Sequence, residues 1–183
     1  MKDAKFEDLL TDELNDLYDA ERQIVEALPK MKQAASAEEL ADAFEQHLEQ
    51  TREQIKRLDQ IFAQMGEEPG SKECEGMQGL LREGEKLIRE LQKSPVLDAA
   101  LIAAAQKVEH YEISGYGTAR TMASMLGEVE MAELLQETLD EEKDTDETLT
   151  EIAESIMGGD AAEDADEELE EEEVVIEDEE IRS

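Results

Sequence analysis

The sequence predicts an all-α protein: an antiparallel four-helix bundle of two hairpins, with an extra crossover helix between them. Good helix formers dominate the chain, and only three prolines, at positions 29, 69 and 95, interrupt it. Aromatic residues make up 3% of the chain, so Leu, Ala, Ile and Met have to fill the interior, as is usual in helical bundles. Apolar residues recur at steps of three and four, which places them on one face of each helix.

The first two helices are expected to form a hairpin. The first should cover about residues 3–34, and Pro29 within its apolar pattern could kink or end it. Ser36 and Glu39 have the spacing of a capping box, which starts a second helix that runs to about residue 65. The link between the two helices is short, and short links join antiparallel neighbours.

A crossover helix and a second hairpin are expected to follow. The crossover is a shorter amphipathic helix over residues 74–91. The pair Ser94-Pro95 is a cap followed by a proline, so the next helix should cover about residues 95–126. The last helix should cover about residues 128–157 and end at Gly158-Gly159. Hairpin, crossover helix and hairpin is the connectivity of ferritin-like bundles with one long crossover.

The chain divides into a bundle domain, residues 1–157, and an acidic tail, residues 158–183, which is expected to be disordered because it is too charged to bury a core. The tail holds 14 acidic side chains and one Arg, which leaves −22 of the total net charge of −35 on the bundle. Such a surface excludes nucleic acid and anionic membranes as partners, since phosphate is bound by Lys and Arg. The tail should act as a solubilising segment; alternatively, Val174-Val175-Ile176 adds as a strand to a partner's sheet.

The sequence favours a cytoplasmic protein. The longest apolar run, residues 99–105, is far shorter than the ~20 residues that span a bilayer. The N-terminus lacks the apolar core of a signal peptide. The single cysteine, Cys74, cannot form an internal disulfide and is expected to be a small apolar residue on the face of the crossover helix.

Acidic side chains occupy core positions in three of the long helices. Glu21 does so in the first helix, and Glu112 does so in the helix over residues 95–126. Glu109 lies one turn before Glu112, within the same wide apolar face. Glu142 and Asp146 lie one turn apart in the last helix and face the same way. A single Glu at such a position is usually a boundary residue that reaches water, but three helices with this pattern point to a shared cluster.

Buried carboxylates are costly unless a cation compensates them, and the helix seams have no Lys or Arg at the same levels. Either the acids are protonated and hydrogen-bonded to one another, or they share metal ions. Oxygen-rich ligands suit iron(II), manganese(II) or magnesium better than copper. His47 falls within the apolar arc of the second helix and is either a ligand or a hydrogen-bonded interior histidine. His110 is expected to lie on the surface.

Four segments of the chain resemble one known family. The longest is DAALIAAAQKVEHYEISGYGT at residues 98–118, and the second is LLQETLDEEKDTD at residues 134–146. LYDAERQ at residues 17–23 and HLEQT at residues 47–51 match its first two helices. Together they resemble the YciE/YciF family of bacterial ferritin-like proteins over roughly residues 5–157. The resemblance implies a ferritin-like fold, a homodimer and a link to stress responses.

The resemblance also implies where metal ligands should lie. Ferritin-like di-iron proteins place one Glu on each of two helices and a Glu-x-x-His motif on each of the other two. By this resemblance, Glu21 matches the Glu of the first helix, either Glu109 or Glu112 matches that of the third long helix, and Glu142 matches that of the fourth.

Both Glu-x-x-His motifs are incomplete in this chain. Thr145 stands three residues after Glu142, where the motif has His, and Phe44 stands three residues before His47, where the motif has Glu. Oxygen-activating di-iron chemistry is therefore not implied, and the sequence leaves open whether the protein is an enzyme.

Two functions are compatible with this pattern. The first is a ferritin-like metal-binding protein of stress defence, in which the six residues of the predicted site hold iron or manganese. They are Glu21, His47, Glu109, Glu112, Glu142 and Asp146. The alternative is a metal-free ferritin-like scaffold that acts as a structural or protein-interaction module. In either case a homodimer is expected, with Tyr18, Ile113 and Tyr116 as candidates for its interface.

Overall fold

The computed structural model describes residues 5–180, with side chains from residue 5 to residue 158. Five helices follow one another: α1 (Phe6–Ala34), α2 (Glu38–Met65), α3 (Glu75–Glu90), α4 (Pro95–Leu126) and α5 (Val129–Glu180). Within the described residues there is no strand, so the predicted all-α class is confirmed. None of these helices is both long and apolar enough to cross a membrane.

The four long helices form the predicted bundle. α1 packs against α2 and α4 packs against α5, and each of these pairs is joined by a short link. The two hairpins meet through contacts of α1 with α4 and of α2 with α5, while α3 lies against α1 and α4. The apolar core has two parts, one around Phe44 and Leu101 and the other around Phe62 and Leu135. Glu21 interrupts the α1 seam between these two parts.

The starts and ends of α4 follow the sequence prediction. Ser94 caps the helix, because its hydroxyl accepts a hydrogen bond from the backbone N–H of Leu97 at 3.3 Å. Gly127 ends it with φ of 84°, a left-handed conformation that favours glycine. In α1, Pro29 lies within the helix and does not end it.

The predicted capping box at Ser36 and Glu39 is wrong, because the cap of α2 comes from α4. The N-cap residue is Ala37, whose side chain cannot accept a hydrogen bond. Asp98 of α4 instead accepts hydrogen bonds from the backbone N–H groups of Ser36, at 2.7 Å, and Ala37, at 2.9 Å, and from the Ser36 hydroxyl. A carboxylate at this helix end satisfies free N–H groups and opposes the positive end of the helix dipole.

Cys74 is also placed differently from the prediction. It is fully buried, but it is the N-cap of α3 rather than a residue of the helix face. Its Sγ accepts a hydrogen bond from the backbone N–H of Met77 and lies 3.1 Å from both the Tyr111 hydroxyl and an Asp16 carboxylate oxygen. The thiol therefore ties the crossover helix to α1 and α4.

The last helix extends beyond the expected stop. The backbone of α5 continues past Gly158-Gly159 to Glu180, since glycine costs only about 1 kcal/mol in a helix interior and Glu and Ala are strong helix formers. Side chains after Gly158 lie outside the described part of the chain, and this includes Val174-Val175-Ile176. The acidic tail as a disordered segment therefore stays a prediction.

One glycine allows the close approach of α1 and α4 beside the buried acids. A Cβ atom at Gly115 would lie 2.7 Å from Cδ2 of Leu17, closer than packed side-chain atoms come to one another. Gly115 follows Glu112 by three residues and is buried, and Leu17 precedes Glu21 by one turn. The missing side chain thus brings the helices that carry Glu21 and Glu112 together.

Candidate metal centre

Three helices bring four potential ligands together in the interior. His47 comes from α2, Glu109 and Glu112 come from α4, and Glu142 comes from α5. Each offers one nitrogen or oxygen atom, and these four atoms all lie within 4.8 Å of one another. All four residues are buried, with His47 the most exposed at 4%. We refer to these four residues as the His47–Glu142 cluster.

The cluster is rich in polar atoms that have no hydrogen-bond partner. Both carboxylate oxygens of Glu112 are unpartnered, as are one oxygen each of Glu109 and Glu142. Both ring nitrogens of His47 are also unpartnered, although Nε2 lies 3.4 Å from Oε1 of Glu109. Buried polar groups are nearly always hydrogen-bonded, and leaving one unpaired costs about 1–3 kcal/mol. An ion bound among these atoms would satisfy them together.

Glu21 of α1 borders the cluster. It is fully buried, and one of its oxygens accepts a hydrogen bond from the Tyr116 hydroxyl while the other has no partner. Its negative charge also acts on Glu112, where it is the largest cause of a raised pKa after burial. Glu21 therefore belongs to the same electrostatic site from the α1 side.

The burial of these side chains shifts their protonation. Burial, followed by the charges of neighbouring carboxylates, raises the pKa values of Glu21, Glu109 and Glu112 well above 4.5. Burial also raises the pKa of Glu142, to about 7. For His47, burial lowers the pKa to about 4, so the imidazole is neutral at pH 7. A neutral imidazole has the free lone pair that a metal ligand needs.

Gln54, which is not among the predicted site residues, is hydrogen-bonded to Glu142. The Gln54 amide donates hydrogen bonds to Glu142 and, at 3.0 Å, to Glu141. Arg57 pairs with Glu141 at 2.9 Å and donates to Thr138 at 2.6 Å. Gln54 lies one turn after Thr51 in the same row of α2 as His47, a spacing that could have placed it at the site. The contacts of Arg57 depend on the packing of α2 against α5, which spacing within one helix does not determine.

Asp146 is not brought into the cluster, in contrast to the sequence prediction. Its side chain is 24% exposed, and its oxygens lie 3.4 Å from Nε2 of His110 and 3.2 Å from the Gln106 amide. Asp146 lies on the same face of α5 as Glu142, as its spacing predicts. It lies one turn further along the helix, however, and its side chain is one methylene shorter than that of Glu. His110 is 68% exposed, as predicted.

Tyr116 is fully buried against Glu21, so the expectation that it contributes to a dimer interface is wrong. The wide apolar face of α4 is covered at this level by α1, which carries Glu21. Tyr18 packs edge-on against Phe62, with 6.0 Å between ring centroids, and it stays half-buried, as does Ile113.

Comparison with known proteins identifies the family. The model of a family described as a domain of unknown function, DUF892, matches residues 5–162. The chain belongs to the DUF892 family. Protein YciF of Escherichia coli strain K12 is 48% identical to the chain over 148 residues, which are 80% of this chain and 89% of YciF. The predicted relation to YciE/YciF proteins is therefore confirmed.

Solved structures agree with the fold of this DUF892 chain. The crystal structure of the E. coli stress protein YciF matches with a TM-score of 0.83 and 45% identity, over 85% of this chain and 99% of that one. YcfI, a putative structural protein from Rhodopseudomonas palustris, matches with a TM-score of 0.78 and 42% identity, over 80% and 94% of the two chains.

A more distant structure shows that the fold of this chain is ferritin-like. It is a two-domain protein from Anabaena variabilis that contains DJ-1-like and ferritin-like domains. It matches with a TM-score of 0.58 and 15% identity, over 85% of this chain and 38% of that one. At this identity the likeness concerns the fold alone.

Proposed function

We propose that the protein binds iron or manganese through the His47–Glu142 cluster and Glu21. The observation that carries this proposal is the concentration of unpartnered polar atoms in a buried site. Five oxygens and two nitrogens on five side chains lack a hydrogen-bond partner. Among the described residues, no Lys or Arg forms an ion pair with any of these carboxylates. A divalent cation supplies the missing positive charge and the missing partners at once.

The donor set fits these metals. Carboxylate oxygens with one imidazole suit iron(II) and manganese(II) better than soft metals. A metal bound here would supply Lewis-acid or redox chemistry to a small molecule. The residues that would hold the metal are the four members of the cluster, whose ligand atoms all lie within 4.8 Å of one another, and Glu21, whose charge acts on Glu112.

Two side chains would orient the ligands. Tyr116 donates to Glu21, and burial raises the pKa of the Tyr116 hydroxyl, so that it remains a donor. Gln54 donates to Glu142 and fixes that carboxylate in its position. Partners of this kind set the direction of metal ligands, and their loss typically weakens metal binding by about 10- to 100-fold.

The experiment that tests metal binding compares the wild type with two variants inside the cluster and one control variant outside it. Purified protein is loaded anaerobically with iron(II) or manganese(II), desalted, and analysed for metal by mass spectrometry. We expect about two ions per chain in the wild type, as in di-metal bundles, and a loss of binding in Glu112→Gln and Glu142→Ala. Asp146→Asn, which changes a carboxylate outside the cluster, should bind as the wild type does. No metal in the wild type, or full metal content in Glu112→Gln, would contradict the proposal.

A metal-free scaffold is the second candidate, and the two incomplete motifs favour it. Phe44 is part of the apolar core, and the Thr145 hydroxyl donates to the backbone carbonyl of Glu141, so neither position offers a ligand. In such a scaffold, Glu142→Ala should be neutral or stabilising whether or not metal is added. Thermal unfolding of this variant with and without manganese(II) separates the two functions.

We further propose a role in stress responses and a homodimeric state. The first is supported by the likeness to a protein that is named a stress protein. Induction of the gene under osmotic or oxidative stress, compared with unstressed cells, tests it. Sedimentation analysis of the purified full chain tests the dimer.

A further inference from the structure

A pocket of about 200 Å³ leads from the surface to the cluster. Its rim contains the exposed residues Gln46 and Asp144, which lie on α2 and α5. Its inner end is formed by His47 and Glu109. Both ring nitrogens of His47 lack a hydrogen-bond partner, and the residue is only 4% exposed. An imidazole that is free to bind a metal or a polar group therefore lies at the bottom of the pocket.

The size of the pocket is greater than metal entry or a diatomic molecule requires. One water molecule takes a share of about 30 Å³ in the liquid, whereas an apolar cavity of about 150 Å³ can hold benzene. Pockets for drug-sized ligands are about 300–1,000 Å³. The observed volume of about 200 Å³ therefore fits a molecule the size of one aromatic ring.

The walls define the chemistry of that molecule. Leu28, Phe44 and Leu149 line the pocket with apolar surface and are buried members of the core. The pocket has no Lys or Arg in its lining, and its charged residues, Glu109 and Asp144, are acidic. An anion would be repelled by the net negative charge of the bundle, to which Asp144 at the rim contributes, while an uncharged ring loses little on leaving water.

We propose that this pocket binds a small, uncharged organic molecule with one ring and one polar group. The ring packs against Leu28, Phe44 and Leu149, and the polar group points to His47 and Glu109. The inference rests on the proposed metal function, because it makes this molecule the ligand or substrate on the His47 side of the metal centre. It adds a substrate class to a site that otherwise only stores or holds ions.

The test uses 4-fluorophenol and 4-fluorobenzoate as probes, observed by fluorine NMR with the metal-free and the manganese(II)-loaded full chain. At neutral pH the phenol is uncharged and the benzoate is an anion. We expect saturable binding of the phenol only. In the manganese-loaded protein, the fluorine signal of the bound phenol should relax faster, because the probe lies near the paramagnetic ion.

Matched variants locate the binding. Ala43→Leu and Thr145→Leu fill the pocket from α2 and α5, both from half-buried positions, and should weaken phenol binding by about tenfold or more. Ala63→Leu adds the same side chain to the exposed face of α2 and should leave binding unchanged. Circular dichroism confirms that each variant is folded.

The outcomes separate the two proposals. The proposed binding pocket is contradicted if the wild type shows no saturable binding of the phenol. It is also contradicted if Ala43→Leu and Thr145→Leu bind the phenol as well as the wild type does. If the protein binds metal but not the phenol, the proposed ligand of the pocket is wrong and the proposed metal function is unaffected. Phenol binding that the Leu variants abolish, in a protein that takes up no metal, supports the pocket and contradicts the metal function.

Discussion

Asp98 and Glu112 are two buried carboxylates of the same helix, and their surroundings differ completely. Asp98, 1% exposed, accepts hydrogen bonds from two backbone N–H groups and one hydroxyl. Glu112 is fully buried, and neither of its oxygens has a partner. The free energy of burying the first carboxylate is offset within the fold. The free energy of burying the second is not offset by any hydrogen bond among the described residues. Burial alone therefore does not distinguish these two acids, whereas the absence of hydrogen-bond partners does.

The largest effect expected from the buried acids without partners is a pH dependence in the free energy of unfolding of the metal-free protein. The pKa of Glu142 rises from 4.5 in the unfolded chain to about 7, and burial shifts Glu109, Glu112 and Glu21 in the same direction. The native state thus binds more protons than the unfolded chain. The stability that these groups contribute is therefore fully present below pH 4.5 and is lost as the pH rises through 7. For Glu142 alone, the expected loss in the free energy of unfolding is about 3 kcal/mol.

Urea denaturation of the metal-free protein from pH 5 to pH 8 measures this loss. Glu142→Gln should flatten the pH dependence, because it removes a carboxyl group whose pKa is raised by burial. Stability that increases with pH in the metal-free wild type would mean that the cluster is compensated within the fold.

The next largest effect is that of removing the satisfied carboxylate. Asp98→Ala leaves the N–H groups of Ser36 and Ala37 without their acceptor and removes the cap of α2, so we expect a loss of about 2–3 kcal/mol in the free energy of unfolding. Denaturant titration at constant pH measures it. Manganese(II) binding to the folded variant should be unchanged, which distinguishes a structural carboxylate from a ligand.

Removing an unsatisfied carboxylate should have the opposite sign. In the metal-free protein, Glu112→Leu relieves a buried acid without partners, and we expect it to stabilise the fold by about 1–2 kcal/mol. With manganese(II) present, the order should reverse, because only the wild type gains stability from binding, by about 2.7 kcal/mol at a concentration 100 times the Kd. Melting temperatures with and without metal show whether this reversal occurs.

The smallest effect concerns Glu21, which has one satisfied and one unsatisfied oxygen. Tyr116→Phe removes the hydroxyl that donates to it and should cost about 1 kcal/mol in the metal-free protein. The affinity for manganese(II) should fall by about tenfold, because the carboxylate loses its orientation. Tyr18→Phe, at a half-buried tyrosine of α1, is the matched control. Equal manganese affinities in the two variants would exclude Tyr116 from orienting the site.

The sequence was sufficient to predict that Glu21, Glu112 and Glu142 lie on the buried faces of their helices, because helical spacing determines which face of a helix a residue occupies. It could not determine how far along the bundle that face remains covered, and for this reason Asp146 was placed in the cluster although it lies near the surface. It also could not identify partners on other helices. Asp98 satisfies groups that are 61 and 62 residues away, and Gln54 meets Glu142 across 88 residues, so only the packed bundle reveals these pairs.

The position of Asp98 has a consequence for biosynthesis. The N-terminus of α2 is completed by a residue of α4, so the first hairpin lacks its cap while the chain emerges from the ribosome. α2 should fray at that end until the third long helix has been made and has docked. The first hairpin should therefore reach its full stability only after α4 has docked, and in the nascent chain it should become protease-resistant late rather than as soon as α2 has been made.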